Sequence, residues 1–206
     1  VGAGANACVL HYRANAAQAQ DGDLVLIDAG AEYRGYASDI TRTFPVNGRF
    51  SREQRALHDL VAAAQRAALA KAQPGVPYEA GHLAAVETLT DGLLSLGLLK
   101  GSLKQNLAAG HYKRFYLHKT GHWLGLDVHD VGDYRIDGES RLLEPGMAFT
   151  IEPGLYVNAD DTSVPAKWRG IGIRIEDDVL ITKDGYDVLT DALPRTADEI
   201  EAAMAP

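Results

Sequence analysis

Four acidic residues stand where this chain should be burying strands. Asp28 closes the apolar run Leu24-Val25-Leu26-Ile27, and Asp39 follows eleven residues later beside Ile40. Glu152 ends Ala148-Phe149-Thr150-Ile151, and Glu176 ends Ile171-Gly172-Ile173-Arg174-Ile175. Taking a lone carboxylate out of water costs several kcal/mol unless a charge partner neutralises it. A fold that buries these strand ends must therefore bring cations to them. Taken singly, each reads as a turn or cap residue. Arg174 is one local counter-charge for Glu176, although alternation along a strand favours partners on neighbouring strands. Four such carboxylates together are harder to explain by capping.

Histidine supplies a second signal. His118, His122 and His129 fall within twelve residues, in the Gly-punctuated, strand-like stretch HKTGHWLGLDVHD. Alone, each would read as a satisfied core or surface histidine; beside four strand-end carboxylates they point to a metal centre. One imidazole with four carboxylates is a hard, oxygen-rich set, suited to Mn²⁺, Co²⁺ or Zn²⁺ and unlike a cysteine-based structural site. Four carboxylate charges balance two divalent ions. Spacing alone does not select which histidine ligates.

The remaining pattern is strands, then helices, then strands, which argues α+β rather than alternating βαβ units. Residues 6–11 and 23–28 read as strands, and Tyr33 to Phe44 as paired strands around a turn at Gly35. Ser51 and Gln54 form a capping box that opens a helix, with Leu57, Leu60, Val61, Ala64, Ala68 and Leu69 at helical spacing and Pro74-Gly75 as the stop. A second helix runs from Tyr78 to about Leu96 and a weaker one over Leu103–Ala109. FTIEP, LYV and IGIRIEDDVLIT read as strands, Lys183-Asp184-Gly185 as a hairpin turn into YDVLT, and Thr196 with Glu199 as the cap of a terminal helix. Gly2 to Ala7 matches the dinucleotide pattern G-x-G-x-x-A, but no strand precedes it and no helix begins within it, so it reads as a glycine turn. No low-complexity linker divides the chain.

Composition narrows the classes. Lys+Arg number 20 against Asp+Glu 28, a net charge of −8; with no concentrated basic patch, nucleic acid is not expected as a partner. No apolar run approaches the roughly 18–20 residues of a membrane helix. The one cysteine, Cys8, excludes an internal disulfide and fits a reducing, cytoplasmic compartment.

The segments LVLIDAGAEYRGYASDITRTFPVNG, HKTGHWLGLDVHDVG, EPGMAFTIEPGLY and GIRIEDDVLIT, in that order along nearly the whole chain, resemble the pita-bread metallopeptidases. The resemblance implies a curved, mostly antiparallel sheet covered by helices. It is nearest the Xaa-Pro aminopeptidase branch, with Xaa-Pro dipeptidase next. It makes Asp28, Asp39, His122, Glu152 and Glu176 the ligands of two divalent ions, manganese first and cobalt or zinc also accommodated, with Asp39 and Glu176 bridging. It makes His11, His118 and His129 histidines that contact substrate and developing charge, places Arg174 near the metals in the substrate site, and makes Glu152 the general base.

Residues 1–206 then correspond to the family's C-terminal catalytic domain, without its N-terminal domain and the first helices of the pita-bread half. Self-association, or association with that N-terminal part, is expected. Lys119 stands where the family has a small residue, adding a cation at the pocket rim. The expected substrate is a proline-containing peptide, or a dipeptide for the dipeptidase alternative. A catalytically silent pita-bread binding module, a creatinase-like enzyme and a methionine aminopeptidase are weaker readings: the first two lack ligands present here, and the third matches the quoted segments less well.

Overall fold

The computed structural model describes residues 1–205. In chain order its elements are β1 (Gly2–Ala3), β2 (Leu24–Ala29), β3 (Glu32–Tyr33), β4 (Tyr36–Ala37), β5 (Ile40–Pro45), α1 (Arg52–Leu69), α2 (Glu79–Ser95), α3 (Leu103–Ala109), β6 (Arg135–Ile136), β7 (Glu139–Ser140), β8 (Ala148–Ile151), β9 (Gly154–Val157), β10 (Ile171–Arg174), β11 (Asp177–Ile181), β12 (Tyr186–Val188) and α4 (Ala197–Ala203). Every strand pairing among the described residues is antiparallel, in the orders β1-β2-β5, β10-β9 and β12-β11-β8 with two small hairpins. This is the α+β arrangement expected.

Helix starts follow their caps. Ser51 and Thr196 accept from the backbone of Gln54 and Glu199 while those side chains reach back, closing the capping boxes at α1 and α4. Ser102 and Gln105 do the same for α3. Leu57 and Val61 of α1 and Leu89 and Leu93 of α2 are fully buried and share one core with Ile151, Leu155 and Ile173. The helices thereby seal one side of the strands that carry the acidic residues.

The two main strand groups meet at an unusual seam. Inward positions of β5 are threonines rather than aliphatics: Thr41 and Thr43 are fully buried. Thr43 Oγ1 donates to the Arg174 carbonyl at 3.0 Å and accepts from the Arg174 N–H at 3.1 Å. One isolated bridge, Thr41 to Glu176, continues the contact.

Three sequence expectations need correction. Residues 6–11 are not a strand: the chain turns after β1 into a 3-10 helix over Gly4–Cys8. Gly4 lies at φ +56°, and a β-carbon on Gly2 would meet the Asn6 carbonyl oxygen at 2.7 Å, so the glycines permit a coil that a ladder would forbid. IGIRIEDDVLIT is two strands: β10 pairs with β9, and after Ile175 and Glu176 the chain changes partners so that β11 pairs with β8 and β12. The stretch HKTGHWLGLDVHD is a loop. It follows β8 through Glu152 N–H to Thr120 O (2.7 Å), Thr150 N–H to His122 O (2.9 Å) and the Trp123–Phe149 bridge, without regular strand geometry. The β6–β7 hairpin, turning at Asp137 and Gly138 with φ of +51° and +85°, was not anticipated from the sequence.

Candidate metal centre

Five segments deliver the acidic residues and one histidine to a single place. Asp28 closes β2, Asp39 precedes β5, Glu152 follows β8, Glu176 occupies the switch between β10 and β11, and His122 lies on the loop beside β8. His122 Nε2 stands 3.5 Å from Asp39 Oδ2, 3.7 Å from Glu152 Oε1 and 3.8 Å from Glu176 Oε1. Donor atoms of His122, Glu152 and Glu176 lie within 4.8 Å of one another, as do those of Asp28, Asp39 and Glu176, and those of Asp39, His122 and His129. Asp39, His122 and Glu176 each belong to two of these groups.

The cluster carries more negative charge than its neighbours balance. Burial and the neighbouring carboxylates hold Glu176 well above the usual carboxylate range. Burial pushes Glu152 up to about 7, and burial likewise raises Asp28 against the pull of Arg174. Burial works in the same direction on Asp39, but hydrogen bonds to His122 and Asp28 and the charges of His122 and His129 hold it below its ordinary value. Burial opposes charge on His122 as well, yet the bond to Asp39 and the surrounding carboxylates raise it. Four carboxylates thus share one guanidinium and one imidazole. Hard oxygen donors with a charge deficit are what a pair of divalent cations fits.

Arg174 is held from three sides. Nη2 donates to Asp28 Oδ2 at 2.6 Å, Nη1 to the Tyr156 hydroxyl at 3.0 Å and Nε to Thr41 Oγ1 at 3.2 Å. Its partner in the cluster is therefore Asp28 on the opposite sheet, not Glu176 two residues away. Thr41 in turn donates to Glu176 Oε2 at 2.6 Å. His118 bonds the Lys119 carbonyl through Nδ1 at 2.7 Å, which makes Nδ1 the protonated nitrogen, and Nε2 accepts from the Tyr156 hydroxyl at 2.8 Å. Burial keeps this ring neutral, with a pKa lowered to about 4. Both nitrogens are engaged, so contact with a substrate requires release of one of these bonds.

His129 packs edge-on against His122, ring centroids 4.2 Å apart, and is exposed at the mouth of the cluster. His11 and Lys119 are exposed on the wall of the same cavity, whose volume is about 660 Å³. Residues that sequence reasoning missed complete the surroundings. Thr120 joins the Tyr116 hydroxyl (2.6 Å) to His82 Nδ1 (2.8 Å), directly behind the backbone contact with Glu152. Tyr156 links Arg174 to His118. The inward threonines of β5 were the one available signal, since a strand face of threonines inside a core asks for hydrogen-bond partners.

Comparison with known proteins decides the family. Residues 1–183 match metallopeptidase family M24. The chain belongs to that family.

Among M24 relatives, the Xaa-Pro aminopeptidase of Escherichia coli is 50% identical over 204 residues, covering 99% of this chain and 46% of the relative. Human Xaa-Pro aminopeptidase 3 is 41% identical over 98% of this chain and 39% of its own length. The solved aminopeptidase PepP of Pseudomonas aeruginosa superposes with a TM-score of 0.98 at 58% identity, covering 98% of this chain and 46% of that one. The chain thus spans about half the length of these relatives or less. Its fold is the pita-bread fold of the M24 aminopeptidases, and membership of a metallopeptidase family implies divalent metal ions. No helix of the described residues is long and apolar enough to cross a membrane.

Proposed function

We propose that residues 1–206 form the catalytic domain of a dinuclear-metal exopeptidase that hydrolyses the bond between an N-terminal residue and a following proline. One observation carries the reading: Asp28, Asp39, His122, Glu152 and Glu176, from five separate segments, converge on one cavity in an M24 chain 50% identical to an Xaa-Pro aminopeptidase. In this reading those five residues would hold two ions, Asp39 and Glu176 being the carboxylates that the family resemblance assigns to both. The oxygen-rich set favours manganese, with cobalt and zinc as competitors. When bound, such a pair acidifies a water and polarises the scissile carbonyl.

The chain's own groups do the rest. Glu152, half-buried beside His122 and 4.0 Å from Arg174 Nε, accepts the proton of the attacking water as general base. His129, at the open side, donates to the carbonyl oxygen as charge develops on it. His118 hydrogen-bonds the same tetrahedral intermediate by exchanging the Tyr156 bond for one to substrate, its unprotonated Nε2 accepting from the hydroxyl that the attacking water leaves on the carbon. His11 delivers a proton to the proline nitrogen, which is a poor leaving group until protonated. Arg174 fixes Asp28 and, through Tyr156, the ring of His118 at the substrate side of the cavity. Cytoplasmic location and self-association complete the reading; light scattering on the purified protein measures the second.

Hydrolysis of an Xaa-Pro-Xaa tripeptide against an Xaa-Pro dipeptide, with metal content measured on the same sample, tests the proposal. Turnover of the tripeptide with two equivalents of metal is the expected result. Exclusive turnover of the dipeptide makes the protein a dipeptidase, and absence of both metal and turnover makes it a binding module.

A further inference from the structure

Glu176 is followed by two more carboxylates, and neither reaches solvent: Asp177 is 0% and Asp178 3% exposed. Three successive buried carboxylates need three different sets of partners. Glu176 faces the cluster. Asp177 turns away from it, its Oδ1 accepting from Arg42 Nη2 at 2.7 Å and Thr190 Oγ1 at 2.6 Å, its Oδ2 from Gln65 Nε2 at 2.8 Å. Arg195 Nε lies 3.0 Å from the same Oδ2. Asp178 reaches across to the start of β5, where its two oxygens stand 3.3 and 3.2 Å from the Asp39 N–H.

Arg42 completes the arrangement. Nη1 donates at once to the Thr41 carbonyl (2.9 Å) and the Glu176 carbonyl (2.6 Å), Nε to the Pro194 carbonyl (2.7 Å), and Nη2 to Asp177. Only a planar fork reaches four acceptors in this way; a lysine ammonium is a point charge on a flexible stem. The main chains of Asp39 and Glu176 are thus each held by a side chain of the opposite strand. Buried ion pairs add little net stability over apolar packing, so a network this complete is better accounted for by the geometry it fixes.

We propose that Arg42 and Asp178 are positioning residues of the metal centre, Arg42 setting the main chain at Glu176 and Asp178 the main chain at Asp39. The two carboxylates assigned to both ions are then held at a fixed separation from behind. This rests on the dinuclear reading above. Outer partners that orient metal ligands are worth 10- to 100-fold in affinity.

Calorimetric titration of manganese into the metal-free protein tests it, with the melting temperature of the metal-free form as an independent reading. Arg42→Lys keeps the charge and loses the fork; Asp178→Asn keeps the shape and weakens the acceptor. Each is expected to bind manganese at least tenfold more weakly than wild type. Leu93→Ala, a core change in α2 away from the brace, lowers the melting temperature and keeps wild-type affinity. Wild-type affinity in both Arg42→Lys and Asp178→Asn overturns the proposal, as does an equal loss in Leu93→Ala. If Arg42→Lys does not fold, Asp178→Asn decides alone. A wild-type protein that takes up no manganese overturns the dinuclear reading and this inference together, whereas normal uptake by wild type and by both variants overturns the brace only.

Discussion

Thr41 and Glu176 meet twice: their backbones pair across the one bridge joining β5 to the β10–β11 switch, and the Thr41 hydroxyl donates to Glu176 Oε2 at 2.6 Å. A threonine on a buried strand face is thereby the point where the fold and the proposed metal centre are one contact. Thr41→Val keeps the shape and removes the hydroxyl, stranding a buried carboxylate oxygen and Arg174 Nε. Such a loss costs about 1–3 kcal/mol of stability, and metal affinity should fall about tenfold. Chemical denaturation and manganese titration of the same variant check both numbers; unchanged affinity would contradict the role given to Thr41.

His129 stands at the open side of the cluster, its ring packed edge-on against His122 and a ring nitrogen within 4.8 Å of donor atoms of Asp39 and His122. His129→Ala is expected to retain two equivalents of metal while turnover drops about 100-fold, the scale of a lost oxyanion donor. Full activity at full metal occupancy would remove His129 from the chemistry.

Proton release should accompany metal binding. Burial pushes Glu152 up to about 7 and holds Glu176 well above the ordinary carboxylate range, so the metal-free protein carries protons at neutral pH that a metal must displace. Affinity should therefore fall as pH drops below about 7. Titrations at pH 7 in two buffers of different ionisation heat would reveal the released protons as a buffer-dependent enthalpy. A buffer-independent enthalpy would contradict the protonated state.

The pKa of His58 is shifted the other way, downward. Its ring is fully buried in α1 against Phe50, centroids 4.8 Å apart, with neither nitrogen hydrogen-bonded. Burial and the charges of Arg55 and Arg42 lower its pKa to about 4. Between pH 6.5 and 4 the unfolded chain binds this proton and the folded one does not, so stability falls on acidification through that window. At pH 5 the loss is about 2 kcal/mol. His58→Leu should accordingly be more favourable relative to wild type at pH 5 than at pH 8, by that amount, in denaturant melts. Equal differences at the two pH values would show that the ring titrates normally.

Much of the architecture was legible because its signals are local. Ser51 with Gln54 and Thr196 with Glu199 mark helix starts by their own chemistry, and Arg34-Gly35 marks the β3–β4 turn, both residues at positive φ. The four carboxylates were legible for an energetic reason: charge at the end of a buried strand demands an explanation wherever it occurs. The 3-10 helix at Gly4–Cys8 was not, since an apolar run buries equally well in a coil or a ladder, and only the close approach of Gly172 to Ala7 and Cys8 shows which. The split of IGIRIEDDVLIT after Ile175 depends on which neighbours the strand finds, information that lies in β8 and β9. Tyr156 and Asp178 matter through hydrogen bonds to residues distant in sequence, and nothing periodic in the chain announces them; Thr41 is announced only by the alternation of buried threonines along β5.

Anomalous diffraction at the manganese edge, from crystals of the metal-loaded protein, tests the central claim most directly. Two peaks are expected, both bounded by Asp39 and Glu176, one reached by Asp28 and the other by His122 and Glu152. Absence of peaks there, with manganese present in the crystal and found elsewhere or nowhere in the map, would contradict it.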